Sequence, residues 1–382
     1  MHSHTLRILS SLQRIFAIRI TRANRHISTD AVLQLAGLLP IDLVLLKEHK
    51  IGKLFRLKES VTIGDDNFTP SLVDIPSSRW FLPPFNFYIL NCMVVDIPNL
   101  RNDTICYYTD GSKTEDGVGA SFCAFDHGNC IYFWNSRLCS YNTIFQAEAF
   151  AIYQALNWHL DRFQNRSFVI YSDSRSVILA LTKFKQKNRI LQDIVKLFLS
   201  FHGVYGVITW VKAHVGIMGN EKADELAKQA TSSTFSGACI QLPMSNSYIR
   251  VLLSKDALNT WQFHWDNSFK GRFTYKFLPK VSLTHLFDNY CLNLFMTNRG
   301  PFPSFLYDIG KIDSPDCICS KYGDAVHYIF DCPLTINYHF CKPSSDHEIH
   351  WFSNLLNFDV NKFKICRLVK WLLNNESFLQ NI

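Results

Sequence analysis

The chain has 382 residues, enough for two or three domains, and its content of 47% hydrophobic and 19% charged residues excludes a disordered protein. A net charge of +7 is compatible with a polyanionic partner and equally typical of an ordinary basic globular protein. Twelve cysteines in so long a chain do not fit a small secreted disulfide scaffold, and no apolar run is long enough to cross a bilayer. We therefore expect an intracellular protein, nuclear or cytoplasmic, with no membrane partner.

The N-terminal region has the spacing of helices. Apolar residues recur every three or four positions from Leu9 to Ile20, and a second helix is expected with Thr29 or Asp30 as its N-cap. Residues 51–103 contain several prolines, which forbid long helices, so this part is predicted to be a linker with one or two strands.

From residue 104 onward the pattern becomes that of an α/β domain. Three runs rich in β-branched and aromatic residues, separated by turn residues, predict an antiparallel meander. A helix to about residue 160 follows them. The strands are expected over 105–109, 119–125, 130–135, 168–172 and 206–211, and the later helices over 174–184, 189–202 and 221–230, the last with Asn220 as N-cap. This order predicts a five-stranded mixed sheet flanked by helices.

Four carboxylates are expected at one rim of this sheet. Asp110 follows the first strand, and Asp173 follows the fourth strand, which should lie parallel to the first. Glu148 shares the helix face that packs on the sheet, and Asp224 falls in the opening turn of the last helix. An Asp before Gly is by itself a common turn residue. Together, however, four acids would repel one another unless a cation neutralised them, and hard oxygen ligands favour Mg²⁺ or Mn²⁺.

Such a site has a defined chemistry. Two divalent ions about 4 Å apart clamp a phosphodiester, one activating the attacking water and the other stabilising the leaving oxygen. His214 lies in a glycine-containing loop after the fifth strand, where its imidazole is a candidate for proton transfer or product release.

Four short motifs resemble the ribonuclease H family, in the version found in non-LTR retrotransposon polyproteins. They are Thr-Asp-Gly-Ser at 109–112, Gln-Ala-Glu at 146–148, Ser-Asp-Ser at 172–174 and the run from His214 to Asp224. The resemblance implies magnesium-dependent hydrolysis of the RNA strand of RNA–DNA hybrids. It carries over Asp110, Glu148, Asp173 and Asp224 as metal ligands and His214 as an auxiliary catalytic group. Polymerase motifs are missing before residue 100, so a separate reverse transcriptase is a candidate partner.

An enzyme that selects the RNA strand must contact its 2′-hydroxyl groups. Ser112, Asn142 and Gln146 are the candidates for this contact. The lysines and the arginine between residues 183 and 189 are candidates for holding the hybrid, although a solvated helix surface is the more common role of such a charged run.

A second candidate site lies near the C-terminus. Its four members, three thiols and one imidazole within sixteen positions, are Cys317, Cys319, His327 and Cys332. This set suits a closed, tetrahedral, structural Zn²⁺ site, the alternative being a chance cluster in a cysteine-rich chain. It also resembles the zinc knuckle of retrotransposon polyproteins, which implies contact with single-stranded nucleic acid, with Tyr322 and Tyr328 as stacking candidates.

These expectations divide the chain into six segments. They are a helical remnant of the segment that follows the polymerase (1–50), a linker (51–103), a ribonuclease H-like domain (104–233), an aromatic-rich helical segment (234–310), a zinc-knuckle-like segment (311–340) and terminal helices (341–382). Two functions stay open at this point: an active hybrid nuclease, and a catalytically silent nucleic-acid-binding remnant of a retrotransposon.

Overall fold

The computed structural model describes residues 3–75, 93–94, 103–183, 188–201, 203–237, 239–285 and 289–375. The chain forms two compact units, one made of residues 50–252 and the other of residues 1–49 together with 253–382. Packing therefore combines the first predicted segment with the C-terminal ones, and the described part of the predicted linker belongs to the unit that contains the sheet.

The described residues form nine strands, most of which have five residues or fewer. In chain order they are β1 (Val61–Ile63), β2 (Asp66–Phe68), β3 (Met93–Val94), β4 (Ile105–Lys113), β5 (Val118–Asp126), β6 (Asn129–Leu138), β7 (Phe168–Ser172), β8 (Gly206–Trp210) and β9 (Cys239–Ile240). Strands β1 and β2 form a separate antiparallel hairpin.

The remaining strands form one mixed sheet in the order β3-β8-β7-β4-β5-β6-β9. Strands β4, β5 and β6 are the antiparallel meander, whereas β7 pairs in parallel with both β4 and β8. The predicted five-stranded mixed sheet is confirmed, and the two-residue strands β3 and β9 extend it by parallel pairs at its two edges.

The helices have the following bounds. They are α1 (Ser3–Thr21), α2 (Thr29–Ala36), α3 (Ile41–Gly52), α4 (Ile144–Arg162), α5 (Arg175–Leu181), α6 (Arg189–Leu199), α7 (Met218–Thr231), α8 (Asn246–Asn267), α9 (Arg272–Phe277), α10 (Tyr290–Thr297), α11 (Pro303–Asp308), α12 (Ala325–Phe330), α13 (Glu348–Leu355) and α14 (Asp359–Asn374).

Strand β4 is longer than its predicted five residues. The prediction ended it at Thr109 and placed Asp110 in a turn, but Gly111 and Ser112 pair with Ala120 and Gly119 of β5. Parallel pairing with β7 does stop at Thr109. Asp110 therefore lies one residue beyond the end of its parallel neighbour, while β5 still holds its backbone in place.

Helix α4 begins where the sequence provides a cap. Thr143 and Gln146 form a capping box, in which each side chain accepts a hydrogen bond from the other residue's backbone amide. The helix then lays Ala149, Ile152 and Leu156 on the sheet, and all three are fully buried. This burial fixes the rotation of the helix and, with it, the direction of the side chain of Glu148.

The other unit is helical and has a core of its own. Trp265, Phe295, Tyr328 and Leu368 are among its fully or almost fully buried side chains. Helix α2 starts one or two residues earlier than the predicted caps Thr29 and Asp30 imply, because the hydroxyl of Ser28 accepts the hydrogen bond from the Ala31 amide as the N-cap.

Helix α1 is confirmed as a helix, but the residues that predict it are not its buried face. Leu12, Phe16 and Ile20 are exposed, whereas Ala17 and Thr21 are buried. Among the described residues, no single helix has the length and apolar content needed to span a bilayer; one bent pair, Thr29–Ala36 with Ile41–Leu57, meets that test across an angle of 67°.

Candidate active site

Three of the four predicted acids converge at one rim of the sheet. Asp110, Glu148 and Asp173 each present a carboxylate oxygen, and these oxygens all lie within 4.8 Å of one another. Asp110 and Asp173 are neighbours because β4 and β7 are parallel and in register up to Thr109 and Ser172. Glu148 joins them from the second turn of α4.

Gly111 makes this convergence possible. A Cβ atom at this position would lie 2.5 Å from the backbone nitrogen of Glu148 and 2.9 Å from the carbonyl carbon of Ala147. No other residue type fits so close to the helix, so the glycine lets β4 approach the start of α4. The Gly111 backbone amide also partly offsets the rise in the pKa values of Asp110 and Glu148.

The electrostatics of the three acids favour a bound cation. Burial, followed by the charges of Asp173 and Asp224, raises the pKa of Asp110 to about 7. Burial and the charges of Asp110 and Asp173 raise the pKa of Glu148 well above its ordinary value. Oε2 of Glu148 is buried without a hydrogen-bond partner among the described atoms. A divalent cation with oxygen ligands fits this donor set, since it supplies the missing partner and offsets the repulsion.

Asp173 is held from two sides. Its backbone oxygen accepts a hydrogen bond from Nε1 of Trp210 at 3.1 Å, and its Oδ2 accepts one from Nδ2 of Asn220 at 3.3 Å. The prediction that Asn220 caps the last helix is wrong, because α7 already begins at Met218 with Ile217 as N-cap. Asn220 is instead 2% exposed inside the first turn, where it orients an acid of the site. The sequence offered no signal for this contact.

Asp224 lies near the three acids but outside their cluster. A Cβ at Gly219 would meet the ring of Tyr108 at 2.2 Å, so this glycine lets α7 pack closely on β4. The hydroxyl of Ser121 fixes the helix further by donating to the Ala223 carbonyl at 2.6 Å. The Asp224 carboxylate pairs with Lys228 at 2.7 Å and acts on Asp110 through its charge.

His214 occupies the loop between β8 and α7. It is exposed, and its backbone φ of 53° lies in the left-handed region that non-glycine residues seldom adopt. Gly216 in the same loop has a φ of 81°. The predicted auxiliary histidine therefore lies on a tightly turned surface loop that leads into the helix of Asp224.

The predicted contacts to the RNA strand lie in different environments. Ser112 is half-buried in β4, whereas Asn142 and Gln146 are buried. Nδ2 of Asn142 donates to the carbonyl of Leu242 at 3.2 Å, and Nε2 of Gln146 donates to that of Pro243 at 2.8 Å. Both side-chain amides therefore already form hydrogen bonds with the protein's own backbone.

Lys113 is a further residue that the sequence did not single out. Its ammonium group donates to the carbonyls of Ser140 and Asn142 at 3.1 and 2.7 Å, so the end of β4 holds the loop before α4. Of the basic run between residues 183 and 189, Lys183 and Arg189 are described, and Lys185 and Lys187 lie outside the described residues.

The second predicted site is also assembled, within the helical unit. The ligand atoms of Cys317, Cys319, His327 and Cys332 all lie within 4.8 Å of one another. Two of the cysteines come from a tight turn in which the Ser320 amide donates to the Cys317 carbonyl at 2.7 Å. The histidine belongs to α12, and the last cysteine follows that helix.

Burial and charge in this cluster suit a closed site. Cys317, His327 and Cys332 are 2%, 6% and 0% exposed, and Cys319 is half-buried. The sulfurs of Cys317 and Cys332 lie 3.7 Å apart, and the hydrogen bond between them lowers the pKa of Cys317 while it raises that of Cys332, so one proton is shared by the pair. Metal ions bind the thiolate form. Tyr328 is fully buried beside the cluster, so the prediction that it stacks on a nucleic acid is wrong, whereas Tyr322 is 57% exposed.

Comparisons with known proteins agree with this fold. Residues 102–232 match the family model described as RNase H. Over 98 residues the chain is 34% identical to the Retrovirus-related Pol polyprotein from type-1 retrotransposable element R1 of Bradysia coprophila. This match covers 24% of this chain and 10% of that protein. Over 91 residues it is 31% identical to the Putative 115 kDa protein in type-1 retrotransposable element R1DM of Drosophila melanogaster. This match covers 22% of this chain and 9% of that protein.

Solved structures of two ribonucleases are also similar. RNase H1 of Halobacterium salinarum NRC-1 has 23% identity and a TM-score of 0.29, with 33% of this chain and 96% of that chain covered. LC11-RNase H1, isolated from compost, has 18% identity and a TM-score of 0.29, with 34% and 96% covered. The matched segments span about a tenth of each retrotransposon protein's own length. The part of the chain from 102 to 232 thus has the ribonuclease H fold, and the chain is similar in sequence to two R1-type retrotransposon proteins.

Proposed function

We propose that this chain hydrolyses the RNA strand of RNA–DNA hybrids in a reaction that depends on Mg²⁺ or Mn²⁺. The observation that carries the proposal is the convergence of three carboxylates with oxygens within 4.8 Å of one another, those of buried Asp110 and Glu148 and half-buried Asp173. A group of this kind is costly to keep without a cation, because burial and mutual repulsion raise the pKa values of two of its members.

Each residue has a proposed role. Asp110, Glu148 and Asp173 would hold the divalent ions. Asp224 would add a further negative charge near Asp110, which favours the binding of cations. When bound, such ions activate a water nucleophile and stabilise the charge that develops on the leaving oxygen. His214, on its exposed loop, would accept or donate a proton as product leaves.

The match to the family model supports the hybrid as substrate, and the similarity to R1-type polyproteins supports a reverse transcriptase as the partner that makes such hybrids. Ser112 is the proposed contact to the RNA strand, because it is half-buried rather than covered. Asn142 and Gln146 would join it only after residues 242–243 move away from them.

A cleavage assay on the full chain tests the proposal. The substrate is a hybrid labelled on its RNA strand, with single-stranded RNA and duplex DNA as comparison substrates. We expect magnesium-dependent cleavage of the hybrid alone, and a loss of at least about 100-fold in Asp173→Asn, which keeps the shape of the side chain but removes its charge. Asp161→Asn, an exposed carboxylate on α4, is the matched control and should cleave normally.

Two outcomes would contradict the proposal. Binding of the hybrid without cleavage would leave the silent nucleic-acid-binding remnant as the function. Equal cleavage by the parent chain and by Asp173→Asn would point to a contaminating nuclease.

We also propose that Cys317, Cys319, His327 and Cys332 hold one structural Zn²⁺. The donor set, its burial and its short span support a closed site rather than a catalytic one with an open position. The exposed ring of Tyr322 is the proposed stacking platform for single-stranded nucleic acid at this cluster.

A further inference from the structure

A pair of cysteines lies where the last strand joins the sheet. Cys139 directly follows β6, and Cys239 opens β9, which pairs in parallel with the end of β6 through Arg137–Cys239 and Leu138–Ile240. The two Sγ atoms are 3.5 Å apart although the residues are 100 positions apart along the chain. Cys139 is half-buried and Cys239 is exposed, so small thiol reagents can reach both.

The strand opened by Cys239 begins a strap, which we define as residues 239–244. Its Leu242 and Pro243 carbonyls accept the hydrogen bonds from Asn142 and Gln146. The backbone of Met244 then pairs with the chain around residues 72–74, through two hydrogen bonds of 2.8 Å. The strap is therefore held to the sheet unit by a two-residue strand, a few single hydrogen bonds and the packing of Ile240 and Leu242 against a buried cluster of the sheet unit.

We propose that Cys139 and Cys239 are a reversible redox site that forms a disulfide by exchange with a low-molecular-weight disulfide such as oxidised glutathione. The thiolate of one cysteine attacks the glutathione disulfide and releases one glutathione thiolate. The second cysteine, as its thiolate, attacks the resulting mixed disulfide and releases the other glutathione. Both protein thiols are oxidised, one glutathione disulfide is reduced to two thiols, and the two cysteine protons go to solvent or to the released glutathione.

The geometry and the chain connectivity both favour this step. A disulfide requires the sulfurs to approach to about 2.05 Å, a shift that two side chains on a sheet edge can make by rotation and a small backbone adjustment. The bond would close a loop of 100 residues, and long loops lose the most unfolded-state freedom when cross-linked. The consequence is a strap fixed to the sheet edge over Asn142 and Gln146.

Other cysteines of the same unit provide the contrast. Cys123 is fully buried, and Cys130 is exposed on β6 with its thiol directed to the Tyr132 carbonyl at 3.6 Å. Cys130 is therefore open to glutathione, and no other thiol among the described residues lies as close to it as Cys239 lies to Cys139. Burial and the neighbouring Cys139 thiol raise the pKa of Cys239, so the exchange is best run at mildly alkaline pH.

The test uses the full chain, reduced, treated with oxidised glutathione, quenched with acid and mapped by proteolysis and mass spectrometry without reductant. We expect a peptide pair joined through Cys139 and Cys239 that disappears with dithiothreitol. Cys130→Ser should keep this cross-link, and Cys139→Ser should turn Cys239 into a mixed disulfide with glutathione. Any of three results would overturn the proposal. These are separate glutathione adducts on Cys139 and Cys239, a cross-link from either of them to another cysteine, and an absence of reaction at both under conditions in which Cys130 reacts with glutathione.

Hydrogen exchange gives the second measurement. We expect amide exchange of the strap to slow by roughly tenfold on oxidation, to recover on reduction, and to be unchanged by oxidant in Cys139→Ser. A cross-link without slower exchange would overturn the claim that the bond fixes the strap. Neither experiment uses a hybrid, so the redox site stands or falls independently of the proposed nuclease activity.

Discussion

The two groups of metal-type ligands in this chain differ in how they are assembled. The acidic site takes its members from a strand, the end of a parallel neighbour and a helix, and the carboxylates span residues 110–173. The Cys/His cluster takes all four members from residues 317–332, a tight turn followed by one short helix. The first is positioned by a sheet and the helix packed on it, and the second by a turn and a short helix that are buried in the core of the helical unit.

This difference predicts opposite responses to metal loss. The sheet assembles the acids whether or not a cation is present, so their repulsion is a cost that the core of the unit bears. The turn and the short helix that carry the Cys/His cluster pack into the core of the helical unit. The close approach of three thiols and an imidazole, however, is stabilised by the metal that they would share, so we expect the order of this segment to depend on that metal. The following experiments test that contrast, starting with the largest expected effect.

Removal of zinc should disorder the segment around the cluster. Structural zinc contributes on the order of 10 kcal/mol of apparent binding energy in small zinc-dependent domains. We expect about one zinc per chain in the parent, none in Cys319→Ser, and fast amide exchange over residues 311–340 in that variant. Cys341→Ser, an exposed cysteine outside the cluster, is the control. Equal metal content in the parent and in Cys319→Ser would refute the zinc site.

The metal-free acidic site should lose stability as the pH rises. The pKa of Asp110 is raised from 3.8 to about 7 in the folded chain, so folding favours its protonated form. That contribution is complete below about pH 4 and is lost as the pH rises through about 7, a change of about 4 kcal/mol at most. We expect urea unfolding in EDTA to show this decline and Mg²⁺ to reverse it at pH 8. Asp110→Asn should reduce the decline to the part that buried Glu148 contributes and should weaken the response to Mg²⁺.

The matched control for that series is Asp161→Asn, which removes an exposed carboxylate on α4. It should keep the pH-dependent decline and the response to Mg²⁺. A flat pH profile in the parent chain would mean that the three acids do not crowd one another.

A side chain at Gly111 should separate the acids. In Gly111→Ala the new Cβ would lie 2.5 Å from the Glu148 amide nitrogen, so β4 and α4 must move apart. We expect a loss of roughly 1–3 kcal/mol in unfolding free energy and a loss of hybrid cleavage. Gly52→Ala, where the added methyl group has no neighbour within 4 Å and the backbone is already helical, should keep hybrid cleavage and should not lower the unfolding free energy. A Gly111→Ala chain that cleaves normally would show that this close approach is not needed.

The smallest effect is expected at Asn220. Its replacement by alanine removes the hydrogen bond to Oδ2 of Asp173, worth about 1 kcal/mol, so about fivefold more Mg²⁺ should be needed for half-maximal cleavage. Asn157→Ala, which loses a comparable bond to the Tyr153 carbonyl away from the acids, is the control. An unchanged magnesium requirement in Asn220→Ala would remove its role in positioning Asp173.

Much of the sheet and its acids was predictable because the evidence was local. Alternating turns and apolar runs set the strand order, and Glu148 shares its helix face with buried apolar residues three and four positions away. The sequence could not show that β4 continues past Asp110, because Gly and Ser are typical turn residues. Only the pairing of Gly111 and Ser112 with β5 shows that they belong to the strand.

Contacts between distant residues were the ones missed. The edge strand β9, the bond from Asn220 to Asp173 and the pair Cys139–Cys239 all join elements far apart in the chain, with no periodic pattern to reveal them. The exposure of the apolar face of α1 was equally unpredictable. Helical spacing of apolar residues predicts that a helix forms, but it does not predict which face is buried.

Crystals of the chain soaked in Mn²⁺ and measured at the manganese absorption edge provide the most direct test of the acidic site. The account predicts an anomalous peak bound by the carboxylates of Asp110, Glu148 and Asp173, with the zinc at Cys317 and its partners as an internal reference measured at its own edge. Carboxylates of Glu148 and Asp173 that point apart, with no manganese between them while the zinc peak is present, would contradict it.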